Sequence, residues 1–193
     1  MIRHEVTLPR RVVPQPQPHI LAGGDCGACV LGGIVRQPLD AVYRNFQPDE
    51  KVPTSFSWYS MRSALHLGLA EHFFDRIIVE PPTWQAPHES QAQWGSPSWT
   101  QTLGWFAYVR MALDAGYYGL AQVNHAKKGP WEPTDHWVML CGVREIWPET
   151  SGAIHQEVLV SCSSKSTPDE EWVRVGDFLK ERGGFNCLFA RPA

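Results

Sequence analysis

The chain has 193 residues, 43% of them hydrophobic and 19% charged, with a net charge of −3. That is enough for one domain with a substantial core, and the balance excludes a disordered polypeptide. The weak negative charge excludes an electrostatic footprint for nucleic acid or an anionic membrane, and no apolar run approaches the roughly 20 residues that span a bilayer.

Residues 1–18 read as a strand followed by an extended arm, because Val6, Leu8, Val12 and Val13 are apolar and Pro14, Pro16 and Pro18 then deny a helix. The N-terminus lacks the apolar centre of a signal peptide, and an odd number of cysteines, five, reads as reduced thiols. Both features predict a cytoplasmic protein. After Gly23 and Gly24, Asp25 is the expected cap of a helix that starts at Cys26, runs through Val30, Leu31, Ile34 and Val35, and stops before Pro38. Gly32 and Gly33 inside it each cost roughly 1 kcal/mol against alanine, which predicts close packing on another backbone.

A second helix is predicted over residues 39–46, with Leu39, Val42, Tyr43 and Phe46 at helical spacing, and a third over 57–69, ending at Gly68 before a strand at 75–79. Residues 80–99 read as a long Trp/Pro-rich loop, and loops of that length are usually functional lids or disordered segments. Trp84, Trp94, Trp99 and Trp105, four of the chain's nine tryptophans, lie in or beside it, either as one wall of a groove or as aromatics pinning the loop to the core. Residues 100–115 predict an amphipathic helix with Leu103, Phe106, Ala107, Met111 and Leu113 on its apolar side and Gly116 as its stop. Strands follow at 118–123, 137–143 and 157–162, separated by turn-rich segments at 127–135 and 148–152. The acidic run Asp169, Glu170, Glu171 reads as a solvated turn and Asp177 as the surface of a short helix over 175–182, before a last strand at 185–190. The expected class is α+β, one domain over 1–193 with an extended arm at 1–20 and N-terminal helices packed on a C-terminal antiparallel sheet.

The chemistry sits in two short blocks. Cys26 and Cys29 lie at the start of an apolar helix, and His136 opens an apolar strand on which Val138, Leu140 and Gly142 share its face while Trp137, Met139 and Cys141 point away. A thiol is only a few per cent ionised near neutral pH; a helix N-terminus and a neighbouring imidazole are the two devices that make it a nucleophile. Asp135 adjoins His136 but faces the other way, so it is a poor orienter of the ring.

The run Asp25, Cys26, Gly27, Ala28, with Leu31 and Ile34 following, resembles the nucleophile helix of the leader-peptidase (double-glycine, peptidase C39-like) domains of bacteriocin ABC exporters. The likeness continues through the two helices after it and through His136, Trp137, Val138 and Gly142. The resemblance implies a papain-like cysteine (thiol) protease fold, with Cys26 as nucleophile and His136 as base, acting as a hydrolase or acyl transferase on a peptide or protein substrate. The run over residues 24–29 is also similar to papain itself, in a register that makes Cys29 the nucleophile. Helix length and the Asp25 position favour Cys26.

Both families place an oxyanion-donating glutamine six residues before the nucleophile, where Ile20 or Gly23 stands here. Gln17 is the glutamine that a longer approach loop would bring in. Otherwise the oxyanion falls to backbone N–H groups at the helix start, such as that of Gly27, with Trp137 and Ser161 as further oxyanion or substrate-binding candidates. The strand that supplies an Asp or Asn to orient the histidine puts Cys162 at that place, flanked by Ser161 and Ser163. No cofactor or metal is expected. The alternatives are a catalytically degenerate papain-like binding module, a Cys26/Cys29 redox pair, and a zinc site drawing on Cys141, Cys162, Cys187 or a histidine.

Overall fold

The structure, a computed structural model, describes residues 1–14, 25–46, 56–79, 99–123, 136–147, 154–163, 169–182 and 186–193. Along the chain run β1 (Ile2–Thr7), α1 (Cys26–Val35), α2 (Leu39–Phe46), α3 (Trp58–Ala70), β2 (Phe74–Ile78) and α4 (Trp99–Asp114). Then come β3 (Tyr118–Val123), β4 (His136–Ile146), β5 (His155–Cys162), β6 (Asp169–Arg174), α5 (Val175–Arg182) and β7 (Cys187–Pro192). The strands form one antiparallel sheet in the order β2-β7-β3-β4-β5-β6, with β1 paired to β4 off that path. β4 organises it. One edge pairs with β3 through its first half and with β1 through its second, and the other edge pairs with β5.

The class is α+β, as expected, but the layers differ from helices stacked on one side of a late sheet. β1 and β2 come from the first half of the chain, and helices cover both faces: α1, α2 and α3 on one, α4 and α5 on the other. The strands explain why. Val138, Leu140, Val158, Val160 and Phe189 face α4 and α5, while the alternating Trp137, Met139, Cys141, Leu159 and Leu188 face α1 to α3. A sheet that is apolar on both faces must be covered on both.

The strand expected to precede the extended arm of residues 1–20 is present as β1, paired with β4. Beyond β1, Leu8 N–H donates to Cys141 O at 2.7 Å, Val12 N–H to Ser161 Oγ at 3.3 Å and Val13 N–H to Cys29 O at 3.1 Å. The arm therefore crosses from the sheet to α1, and the helix glycines let it close in. A Cβ on Gly33 would stand 2.1 Å from Arg11 O and 2.8 Å from Val12 Cα. α1 ends where Arg36 turns left-handed (φ 57°), two residues before Pro38.

Four local expectations are corrected. Asp25 stands at the N-cap position of α1, but its side chain makes no cap bond; it takes the Tyr43 hydroxyl instead, tying α2 to the start of α1. Gly68 does not end α3. It lies inside the helix because a Cβ there would meet the Phe74 ring at 2.5 Å. α4 buries Trp105, Phe106, Val109, Ala112 and Leu113, while Ala107 is exposed and Met111 is 61% exposed. Apolar residues surround this helix, and the side carrying Trp105 wins by packing that ring on Phe178, with centroids 5.6 Å apart. Finally, residues 169–171 open the edge strand β6 rather than a turn, with Glu170 and Glu171 exposed, as charges on sheet edges commonly are.

Gly142 leaves the face assigned to it by strict alternation. A register shift between Leu140 and Gly142 flips the phase of β4, so Gly142 lies against Leu159 and the Trp172 ring while Val143 joins the opposite core. The expected loop at 80–98, and with it Trp84 and Trp94, lies outside the described residues, as do Gln17, Asp135 and the turns at 127–135 and 148–152 (the latter as far as residue 153).

Candidate active site

The candidate site is built where α1 begins against the start of β4. Ser57 caps α3 by accepting the Ser60 N–H at 3.2 Å, and the carbonyl of Phe56 just before it accepts the indole N–H of Trp137 at 2.6 Å. The Trp137 ring stacks on Trp58 at 5.9 Å and 8°. These contacts bury the ring and leave the main chain of Trp137 turned to α1, where its N–H donates to Cys26 Sγ at 3.3 Å.

Cys26 is the first residue of α1 and is 5% exposed. Burial pushes its thiol up to about 11, with the nearby Cys162 adding to the rise; the N–H groups of Trp137, Gly27 and Cys26 itself oppose it by stabilising negative charge on the sulfur. Gly27 has to be glycine-sized, because a Cβ would stand 2.8 Å from Phe56 Cβ and 3.0 Å from Met61 Cε.

Cys29, one turn along, is fully buried, and burial pushes its thiol up to about 12. The Ser163 hydroxyl lowers it, whereas Asp25, Cys26 and Cys162 raise it further. Ser163 Oγ is itself buried and has no hydrogen bond of normal geometry among the described residues, so its contact with Cys29 is a weak one. Of the two helix cysteines, Cys26 has the backbone donors, whereas the group that lowers Cys29 is the Ser163 hydroxyl.

His136 opens β4, opposite Val123 of β3, and is 7% exposed. Its Nε2 lies 3.1 Å from Cys162 Sγ at the end of β5, a residue brought diagonally across by the Met139–Ser161 register. Cys162, the one partly exposed cysteine among five free thiols, packs toward the α4–α5 core, whereas Cys26 belongs to the α1–α3 core. The helix thiol takes the N–H of Trp137 and the His136–Cys162 pair stands at the residue before it, with Cys162 near enough to raise both helix thiols.

The remaining candidates are placed as follows. Ser161 is fully buried with its oxygen accepting the Val12 N–H, so it holds the arm and does not open on the site, contrary to its expected binding role. Trp137 contributes main chain; its ring, also expected to bind, is committed to Phe56 and Trp58. The Asp25–Tyr43 contact was missed because Tyr43 reads as one more apolar position of a short helix, and hydrophobic periodicity is blind to a hydroxyl. Among the described residues, no group of three or more His, Cys, Asp or Glu side chains is arranged to hold a metal ion. None of the described helices is long and apolar enough to cross a membrane.

Comparison with protein-family models, curated proteins and solved structures finds no match.

Proposed function

We propose that the protein is a papain-like cysteine hydrolase or acyl transferase acting on a peptide carbonyl, with Cys26 as nucleophile, His136 as base and Cys162 as the group that orients the imidazole. One observation carries this reading: at the start of a helix Cys26 takes the backbone N–H of Trp137 on its sulfur, and the neighbouring residue of β4 is His136, with Cys162 on its Nε2.

The resting Cys26 is a neutral thiol, so the thiolate forms in the step itself. As sulfur attacks the carbonyl carbon, His136 takes the thiol proton, and the carbonyl electron pair moves to oxygen. Main-chain N–H groups at the start of α1 stabilise the oxyanion, a class of interaction worth about 3–4 kcal/mol per donor in other enzymes. Collapse expels the amine, which takes the proton from His136, and leaves a thioester on Cys26. Water or a second amine then attacks the thioester, with His136 again as base.

A second reading, a binding module that keeps the fold without turnover, is favoured by the burial of both helix thiols. A library of fluorogenic peptide amides separates the two. The enzyme reading expects turnover that is lost in Cys26→Ala and in His136→Ala and kept in Cys29→Ala. Saturable peptide binding without turnover, unchanged in Cys26→Ala, supports the binding module.

A further inference from the structure

Cys162 differs from the other four cysteines. It is partly exposed while they are buried, and its sulfur touches an imidazole nitrogen at 3.1 Å. Cys26 and Cys29 lie near enough for Cys162 to raise their thiols, yet both are buried. A thiol that is reachable and can pass its proton to a histidine has the two properties that select one cysteine for oxidation.

We propose that Cys162 is an oxidative modification site whose substrate class is a small hydroperoxide. His136 takes the Cys162 proton and the sulfur attacks one peroxide oxygen. The O–O bond breaks, the S–O bond forms, and the departing oxygen leaves as water with the proton returned by His136. Sulfur loses two electrons and the peroxide gains them, so one thiol and one hydrogen peroxide give one sulfenic acid and one water. Two equivalents of an added thiol reverse it, yielding a disulfide, water and the original Cys162. On the reading of the site given above, the new S–OH alters what Nε2 of His136 meets, so turnover falls on oxidation and returns on reduction.

The test uses the full, reduced chain with hydrogen peroxide and dimedone, which traps sulfenic acids, and mass spectrometry to map every cysteine. The expected adduct is on Cys162, persists in Cys26→Ala and forms at least tenfold more slowly in His136→Gln. Because a buried histidine substitution can unfold the chain, the rate at Cys162 is also compared between native protein and protein in urea; the pairing predicts faster reaction in the native state. Adducts on Cys26 or Cys29 with Cys162 intact, or a Cys162 rate no higher in the native state than in urea, would overturn the proposal. The mapping needs no substrate. Failure of Cys26 as a nucleophile therefore shows in the turnover series and leaves this result independent of it.

Discussion

The main-chain N–H of Trp137 donates to Cys26 Sγ at 3.3 Å, so the helix that carries the thiol and the strand that carries His136 are joined by a backbone contact. On the strand side this contact uses main chain alone. The indole of Trp137, fixed on Phe56 and Trp58, keeps that peptide in place.

Thiol burial sets an alkaline limit on stability. Cys26 is pushed up to about 11, and Cys29 and Cys141 to about 12, whereas an unfolded thiol ionises near about 8.5. Above that value the unfolded chain gives up protons that the native state keeps, so the contribution is complete below about pH 8.5 and lost as pH rises through 11 to 12. Each such thiol contributes a slope of roughly 1.4 kcal/mol per pH unit within its window. Urea midpoints should fall steadily between pH 9 and 11, less steeply in Cys141→Ala; a flat profile contradicts the burial.

Gly33→Ala reverses the ordinary sign of a helix substitution. Alanine in a helix gains about 1 kcal/mol over glycine, but here the added methyl would stand 2.1 Å from Arg11 O, a backbone atom that cannot rotate away. A net loss of about 2 kcal/mol or more is expected in urea unfolding, with the arm displaced from α1.

Tyr43→Phe removes the hydroxyl that Asp25 accepts while keeping the ring in place. Asp25 is buried, so its carboxylate loses a partner at the residue before Cys26. A loss of about 1–3 kcal/mol follows from leaving such a group unmet, measurable in urea. An unchanged midpoint would show that water replaces the hydroxyl.

These packing relations mark the boundary of what the sequence made legible. Strand β3 and helices α2 and α5 were readable to the residue, because two-residue alternation or helical spacing was unbroken there. The pairing of β1 with β4 and of β2 with β7 was not, since it joins segments more than a hundred residues apart and leaves no local pattern. The bulge at Leu140 and Gly142 hides in the same way: nothing in the residues says that alternation slips there. In the site, the cysteine helix and the histidine strand were readable and the Cys162 position could be aligned. The burial of Cys26, and the tie of Asp25 to Tyr43 in place of a cap, depend on packing that no spacing rule encodes.

Cys162 is the residue through which the histidine can be tuned. Its sulfur is a weaker partner for an imidazole N–H than a carboxylate. Cys162→Ala should lower kcat by about tenfold or more with little change in KM, and Cys162→Asp should restore or exceed the original value. Equal loss in both variants would show that the position packs without orienting His136.

The central claim is that Cys26 attacks while His136 accepts its proton. The most direct measurement is mass-spectrometric mapping of the reduced, full chain after reaction with an N-acetyl dipeptide chloromethyl ketone, in the unsubstituted protein, Cys26→Ala and His136→Ala. The account predicts an adduct on Cys26, absent from Cys26→Ala and slowed at least a hundredfold in His136→Ala. An adduct on Cys29 or Cys162 with Cys26 unmodified, or labelling of Cys26 that is indifferent to His136, would contradict it.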